Sequence, residues 1–408
     1  MEYKSRELER KFLKMNRNFK AILVTGARQV GKTTMLKHLA EGTDRTYVTM
    51  DNRMARELAK SDPVLFFQTY KPPILIDEIQ KAPELFEQIK IMCDESEEKG
   101  RFWITGSQQY KMMSKVRETM VGRIGILSLY SLSQREKAGI LLEDEPDFSL
   151  QALLERQKLF KRNNIIDVYK HIWTGGMPDI QEADSEIREE YFNSYIETYL
   201  MRDATEVGGI SDTVKFNKFL TACAALISSQ INYSTLAEAA DISQTTAKNW
   251  LNVLQGLGII YLLPPFENNE LKRLVKMPKL YFCDTALCAY LSKWLSVEAL
   301  MNGAASGHYY ENYVVMEFVK TYAYSKAKAN LSYYRDSNAK EIDIFIEEND
   351  MIHPIEIKKS ANPDRREVKK YSVIDKTSLK RGEGGIVCMC EEVIPIDEDN
   401  CFIPSNII

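Results

Sequence analysis

Residues Gly26-Ala27-Arg28-Gln29-Val30-Gly31-Lys32-Thr33-Thr34 space two glycines, an amine and two hydroxyls as G-x-x-x-x-G-K-T. Such a stretch binds phosphate. The glycines let successive backbone N–H groups turn toward an anion, and Lys32 is expected on the β- and γ-phosphates of ATP. The Thr33 hydroxyl is expected to ligate Mg²⁺. A second chemical element, Asp77-Glu78, pairs a carboxylate able to hold Mg²⁺ through water with one able to polarise an attacking water. Glu78 favours hydrolysis over phosphoryl transfer to a small acceptor and counts against a small-molecule kinase. Ser107 is the candidate sensor of the γ-phosphate. Arg123 is the candidate arginine finger, which would act across a subunit boundary and so require a homo-oligomer.

Elements must hold these groups together. Ala21–Thr25 is a short continuous apolar run, as a buried parallel strand is, and Met35, Leu36 and Leu39 follow at helical spacing. Ile74-Leu75-Ile76 is a second such run ending in the two acids, and Phe102–Thr105 a third, ending at Gly106-Ser107. Tyr47–Asp51 makes a further strand. Acids at the carboxyl ends of parallel strands lie beside the phosphate loop, where open α/β sheets bind ligands.

A second group of reactive side chains lies near the C-terminus. Helical spacing places Glu311 on the stripe of Val315, Phe318 and Tyr322, where a carboxylate is costly unless something needs it, while Glu317 falls on the solvated side. Strand alternation across Pro354–Lys359 puts Glu356 and Lys358 on one face, downstream of Asp343. Asp343 and Glu356 are expected to hold Mg²⁺, with Glu311 in support and Lys358 positioning a water, as in a metal-dependent nuclease. Residues 355–381 hold nine Lys or Arg against four Asp or Glu, an electrostatic footprint suited to a phosphate backbone.

Between the two groups, residues 150–227 read as helices interrupted at Trp173–Pro178, with Arg202-Asp203 an exposed ion pair near a helix end. Ser234 and Ser243 cap two short helices, and Ile259–Leu263 and Leu280–Phe282 form a hairpin. This is the pattern of a winged helix-turn-helix. Gln244, Thr245, Thr246, Lys248 and Asn249 of its second helix, and Lys272, Arg273, Lys276 and Lys279 of its wing, are placed to meet DNA or another nucleic acid.

The chain has 408 residues, 44% of them hydrophobic and 27% charged, and a net charge of −4, which excludes a broadly basic nucleic-acid coat. No apolar run is long enough for a membrane span, and the charged N-terminus lacks the pattern of a signal peptide. Seven scattered cysteines form no disulfide framework or zinc ribbon, so the expected location is cytoplasmic and the partners include no membrane.

The order GARQVGKTT, ILIDEIQKAP, ITGSQ, GGMP, the winged-helix segment, ENYVVMEF, EIDIFIE and PIEIKKS resembles a family of prokaryotic AAA-type ATPases. These join a P-loop domain to a C-terminal region that looks like a PD-(D/E)XK restriction-endonuclease fold. The resemblance implies ATP binding and Mg²⁺-dependent hydrolysis through Lys32, Thr33, Asp77 and Glu78. One departure is that no Pro-Asp pair precedes the E-x-K, and Glu341-Ile342-Asp343 stands in its place. The expected fold class is α/β, a P-loop NTPase (AAA-like) parallel sheet followed by a helical connector, a winged helix and a smaller restriction-endonuclease-like α/β domain. The expected boundaries are 1–145, 146–227, 228–300 and 301–408. The function expected is ATP hydrolysis controlling a nucleic-acid-related activity, or, in the alternative, an ATP-controlled switch whose inactive nuclease-like domain binds a protein.

Overall fold

The computed structural model describes residues 3–106, 116, 119–141, 146–266, 277–336, 338 and 340–408. Ser107, Lys272, Arg273 and Lys276 lie outside these residues.

Five parallel strands build the first sheet: β1 (Ala21–Thr25), β2 (Thr46–Thr49), β3 (Ile74–Asp77), β4 (Phe102–Gly106) and β5 (Ile124–Ser128), in the order β2-β3-β4-β1-β5. β1 is buried along its whole length because β4 and β5 flank it and helices cover both faces, which is why its sequence is apolar without alternation. β4 stands between β1 and the acid-bearing β3, so the end of β4 also faces the site. Phe12 of the helix Leu8–Asn16 packs edge-on against Trp103, with ring centroids 4.8 Å apart, and Asn16 accepts the indole N–H. Burying a phenylalanine contributes about 1.5–3 kcal/mol, enough to fix this helix against the sheet.

The middle of the chain is helical, as the spacing predicts, with one local irregularity. Tyr195–Leu200 is a π-helical turn leading into the helix Met201–Gly208. Then β6 (Ser229–Gln230) precedes the helices Tyr233–Ala240 and Gln244–Gly256, and β7 (Ile260–Leu263) and β8 (Lys279–Phe282) follow them; the three strands form an antiparallel sheet in the order β6-β8-β7. Asn232, rather than Ser234, caps the first of these helices, and Ser243 caps the second.

The C-terminal part sets the helix Ser306–Tyr324 against a mixed sheet. β9 (Asn330–Arg335), β10 (Glu341–Glu348) and β11 (Met351–Lys358) run antiparallel, and β11 continues in parallel to β13 (Gly384–Cys388) and β15 (Asn400–Pro404). β12 (Lys380–Arg381) pairs with β11, and β14 (Ile394–Pro395) with β15. A continuous apolar core runs from Leu8 through the connector to Ile408 and so crosses every expected boundary. Smaller cores cover the outer faces of the two large sheets. All seven cysteines are buried thiols. Among the described residues no helix is long and apolar enough to cross a membrane.

Candidate nucleotide site

The loop after β1 takes a shape that only its own sequence allows. Gly26 has φ 150°, and a Cβ there would stand 2.1 Å from the Leu129 carbonyl oxygen. Gly31 has φ 93°, and Gln29 is also left-handed at φ 62°. The helix Lys32–Ala40 starts directly beyond, so its unpaired N–H groups face the loop.

Lys32 folds back over the loop, donating to the carbonyl oxygens of Ala27 at 2.6 Å and Gly26 at 3.1 Å. Burial pushes its amine down to about 8, opposed by the negative charge of Glu78. The Thr33 hydroxyl donates to Asp77 Oδ1 at 2.5 Å. Asp77 also accepts from Thr105 Oγ1 at 2.5 Å and from Tyr47 at 3.3 Å. Glu78 adopts φ 58° at the end of β3, a conformation that costs a residue with a Cβ roughly 1–2 kcal/mol. Its N–H donates to Thr105 Oγ1 at 3.2 Å, and Gln80 donates to its carboxylate.

Lys32, Thr33, Asp77 and Glu78 line one cleft of about 520 Å³, within the range of small-molecule sites. Tyr3, Arg6, Pro178 and Tyr199 close its other walls. Hard oxygens from Thr33 and Asp77, already in mutual contact, fit Mg²⁺. When bound, that ion would neutralise phosphate charge.

The structure therefore brings Lys32, Thr33, Asp77 and Glu78 together. It does not bring Arg123. That residue lies where β5 begins, its carbonyl accepting from Ala21 N at the start of β1, whereas the loop follows the end of β1. Its guanidinium is held by Asp94, at 2.5 and 3.0 Å. Sequence reasoning missed Thr105, Tyr47 and Arg6, and read Asp203 as exposed. Asp203, in the helix that follows the π-helical turn, is buried and accepts two bonds from Arg28, at 2.5 and 3.0 Å. Arg202, about half exposed, lies 3.6 Å from Asp203.

A buried polar seam leads away from the loop. Arg6 donates to the carbonyls of Val30 at 2.8 Å and Tyr130 at 2.7 Å and pairs with Glu136 at 3.1 Å. Arg135 donates to Thr321 at 2.7 Å, and Tyr324 accepts from Tyr130 N at 2.9 Å. Glu317, expected in solvent, is buried, accepts from Gln134 N at 2.8 Å and pairs with Lys320 at 3.0 Å. The stripe rule failed here because the helix Ser306–Tyr324 is covered on several sides.

The C-terminal acids also converge, but on ammonium groups. Lys279 lies 3.0 Å from Glu311, 2.6 Å from Glu341 and 3.7 Å from Asp343. Tyr281 donates to Glu311 at 2.7 Å, and the Ile357 N–H to Asp343 Oδ2 at 2.8 Å. Lys358 and Lys370 both reach Glu356 Oε1, at 2.5 and 2.6 Å. Burial and the neighbouring Asp343 push Glu356 and Glu311 up to about 7. Glu356 Oε2 is buried with no donor among the described residues, and a proton on the raised carboxyl would relieve its charge. Among the described residues no three such ligands form a group able to hold a metal. Lysines thus stand against the three acids expected to hold Mg²⁺: Lys279 against Glu311 and Asp343, and Lys358 and Lys370 against Glu356.

Fold and nucleotide site together are those seen in P-loop ATPases. Residues 18–138 match the family model described as AAA domain, and residues 165–298 and 306–408 match two models described as domains of unknown function (DUF8612 and DUF4143). Uncharacterized proteins of Mycobacterium tuberculosis and Mycobacterium bovis are each 25% identical over 390 residues, 94% of this chain and 80% of theirs. Among solved structures, a Walker-type ATPase of Pyrococcus abyssi is similar at TM-score 0.44 and 14% identity, over 70% of this chain and 94% of that one. The RuvB Holliday junction branch migration motor of Thermotoga maritima is similar at TM-score 0.30 and 16% identity, over 63% of this chain and 86% of that one.

Proposed function

We propose that this chain hydrolyses ATP with Mg²⁺ and that its nucleotide state is conveyed to the winged-helix and C-terminal parts, where it controls a nucleic-acid-related activity. The observation that carries hydrolysis is the contact set around Asp77, with Thr33 and Thr105 on one oxygen and Glu78 next in the chain. In this reading Lys32 binds the phosphates, Thr33 and Asp77 hold the ion, and Glu78 accepts a proton from the attacking water. Conveyance is supported by the seam from Val30 through Arg6 and Glu136 to the helix bearing Thr321.

A nucleic-acid partner is supported by exposed Gln244, Thr245, Lys248 and Asn249 at the start of the second short helix, and by the basic excess of residues 355–381. Lys279 among the acids favours a second reading, an ATP-controlled switch whose C-terminal part binds a protein without cleaving anything. Steady-state ATP turnover with and without single- and double-stranded DNA separates the two. Stimulation that rises with DNA and falls with salt supports the first. Turnover indifferent to DNA supports the second.

A further inference from the structure

Arg28 falls on a position of the phosphate loop that the G-x-x-x-x-G-K-T spacing leaves open, yet its side chain is largely withdrawn from solvent. Its Nε and Nη2 grip Asp203, at 2.5 and 3.0 Å, in the two-pronged geometry that suits a carboxylate. Nη1 is turned the other way, 3.9 Å from Glu78 Oε2. The Tyr199 ring lies 5.5 Å from the guanidinium carbon. Arg28, Lys32, Glu78 and Tyr199 line the same cleft. The guanidinium thus stands beside the carboxylate that addresses the attacking water, while Arg123 lies at the other end of the strands.

Resting on the ATPase reading above, we propose that Arg28 meets the terminal phosphoryl group of ATP within its own chain, and that Asp203 of the connector is the positioning residue that aims it. In the reaction the water oxygen forms a bond to the γ-phosphorus, and the bond from that phosphorus to the β–γ bridging oxygen breaks. ADP leaves with the electron pair, and the water proton passes to Glu78. Arg28 offsets charge on the γ-oxygens as it spreads. ADP has no γ-phosphoryl group, so Arg28 distinguishes ATP from ADP, and the Asp203 contact carries that distinction to the helix Met201–Gly208.

The test is to titrate the full chain with fluorescent ATP and ADP analogues and measure turnover, for wild type, Arg28→Ala, Arg28→Lys and Asp203→Asn. Arg28→Ala is expected to keep ADP affinity within about threefold, to lose about tenfold or more in ATP affinity and to lose about 10³-fold in turnover. Asp203→Asn, nearly isosteric, is expected to show a smaller loss also confined to ATP. Arg28→Lys, which cannot hold Asp203 with two prongs, should not restore turnover. Equal loss of ATP and ADP affinity, or wild-type turnover in Arg28→Ala, would overturn the proposal. If Arg28→Ala does not fold, Asp203→Asn decides by the same criterion. A wild-type chain without turnover would count against the ATPase reading alone. The preference for ATP over ADP would still decide the role of Arg28, supporting it if lost in Arg28→Ala and overturning it if kept.

Discussion

Lys279 sets its ammonium 3.0 Å from the Glu311 carboxylate, at a point where the sequence pattern led us to expect a divalent cation. The lysine comes from β8, outside the helix and strands that carry the acids, and also reaches Glu341 and Asp343. Both Lys279 and Asp343 are buried, so this is an ion-pair cluster withdrawn from water, in which removing one partner leaves charge uncompensated.

Lys279→Met should therefore destabilise the chain by about 3–5 kcal/mol. Adding Glu311→Gln should recover part of that loss, since it removes one of the charges left behind. Urea denaturation of the single and double variants measures both. An additive pair would show that the two residues do not interact.

Gly26→Ala should lose nucleotide binding and roughly 1–3 kcal/mol of stability, because the new methyl group meets a backbone oxygen that cannot swing away. Thermal melting with and without ATP reports both losses, and a variant still stabilised by ATP to the wild-type extent would refute the loop geometry.

The seam from loop to C-terminal helix predicts that Glu317→Ala costs about 3–5 kcal/mol, since buried Lys320 loses its counter-charge and keeps only the Leu132 carbonyl, and the Gln134 N–H loses its acceptor. Tyr324→Phe removes one hydrogen bond and should cost about 1 kcal/mol. Equilibrium denaturation of each variant provides the check. A surface-like effect at Glu317 would contradict its burial.

His171 gives a pH signature. Burial, aided by the charge of Lys137, pushes its imidazole down to about 4 from an ordinary 6.5. Above pH 6.5 it is neutral folded or unfolded, and on acidification the unfolded chain takes the proton first. Stability is thus lost between pH 6.5 and about 4. In His171→Gln that part of the loss should vanish, seen as a flatter dependence of melting temperature on pH. Parallel curves for the two proteins would contradict the account.

Local chemistry was legible where it is contiguous. The loop from Gly26 to Thr34 and the acids after Ile76 could be read because each lies in one short stretch between apolar runs. Arg28 and Asp203 meet across 175 residues, and only the fold brings them together. Thr105 looked like the end of a strand, and nothing local shows that β4 sits between β1 and β3. The place of Arg123 at the start of β5 was not legible, because proximity in sequence to a strand does not say which end of the sheet a residue occupies. Glu317 was misjudged because a helix buried on several sides has no solvated stripe to read. The acids of the C-terminal group were found, but not the lysine that neutralises them, since Lys279 belongs to a segment read as a wing.

The most direct test of the central claim is phosphate release from ATP by the full chain, with Mg²⁺ and with chelator, beside Lys32→Ala and Glu78→Gln. The account predicts Mg²⁺-dependent turnover by the wild type and loss of ATP binding in Lys32→Ala. In Glu78→Gln it predicts retained binding with turnover reduced about 10²–10⁴-fold. Turnover that survives both substitutions, or a wild-type chain that binds no ATP, would contradict it.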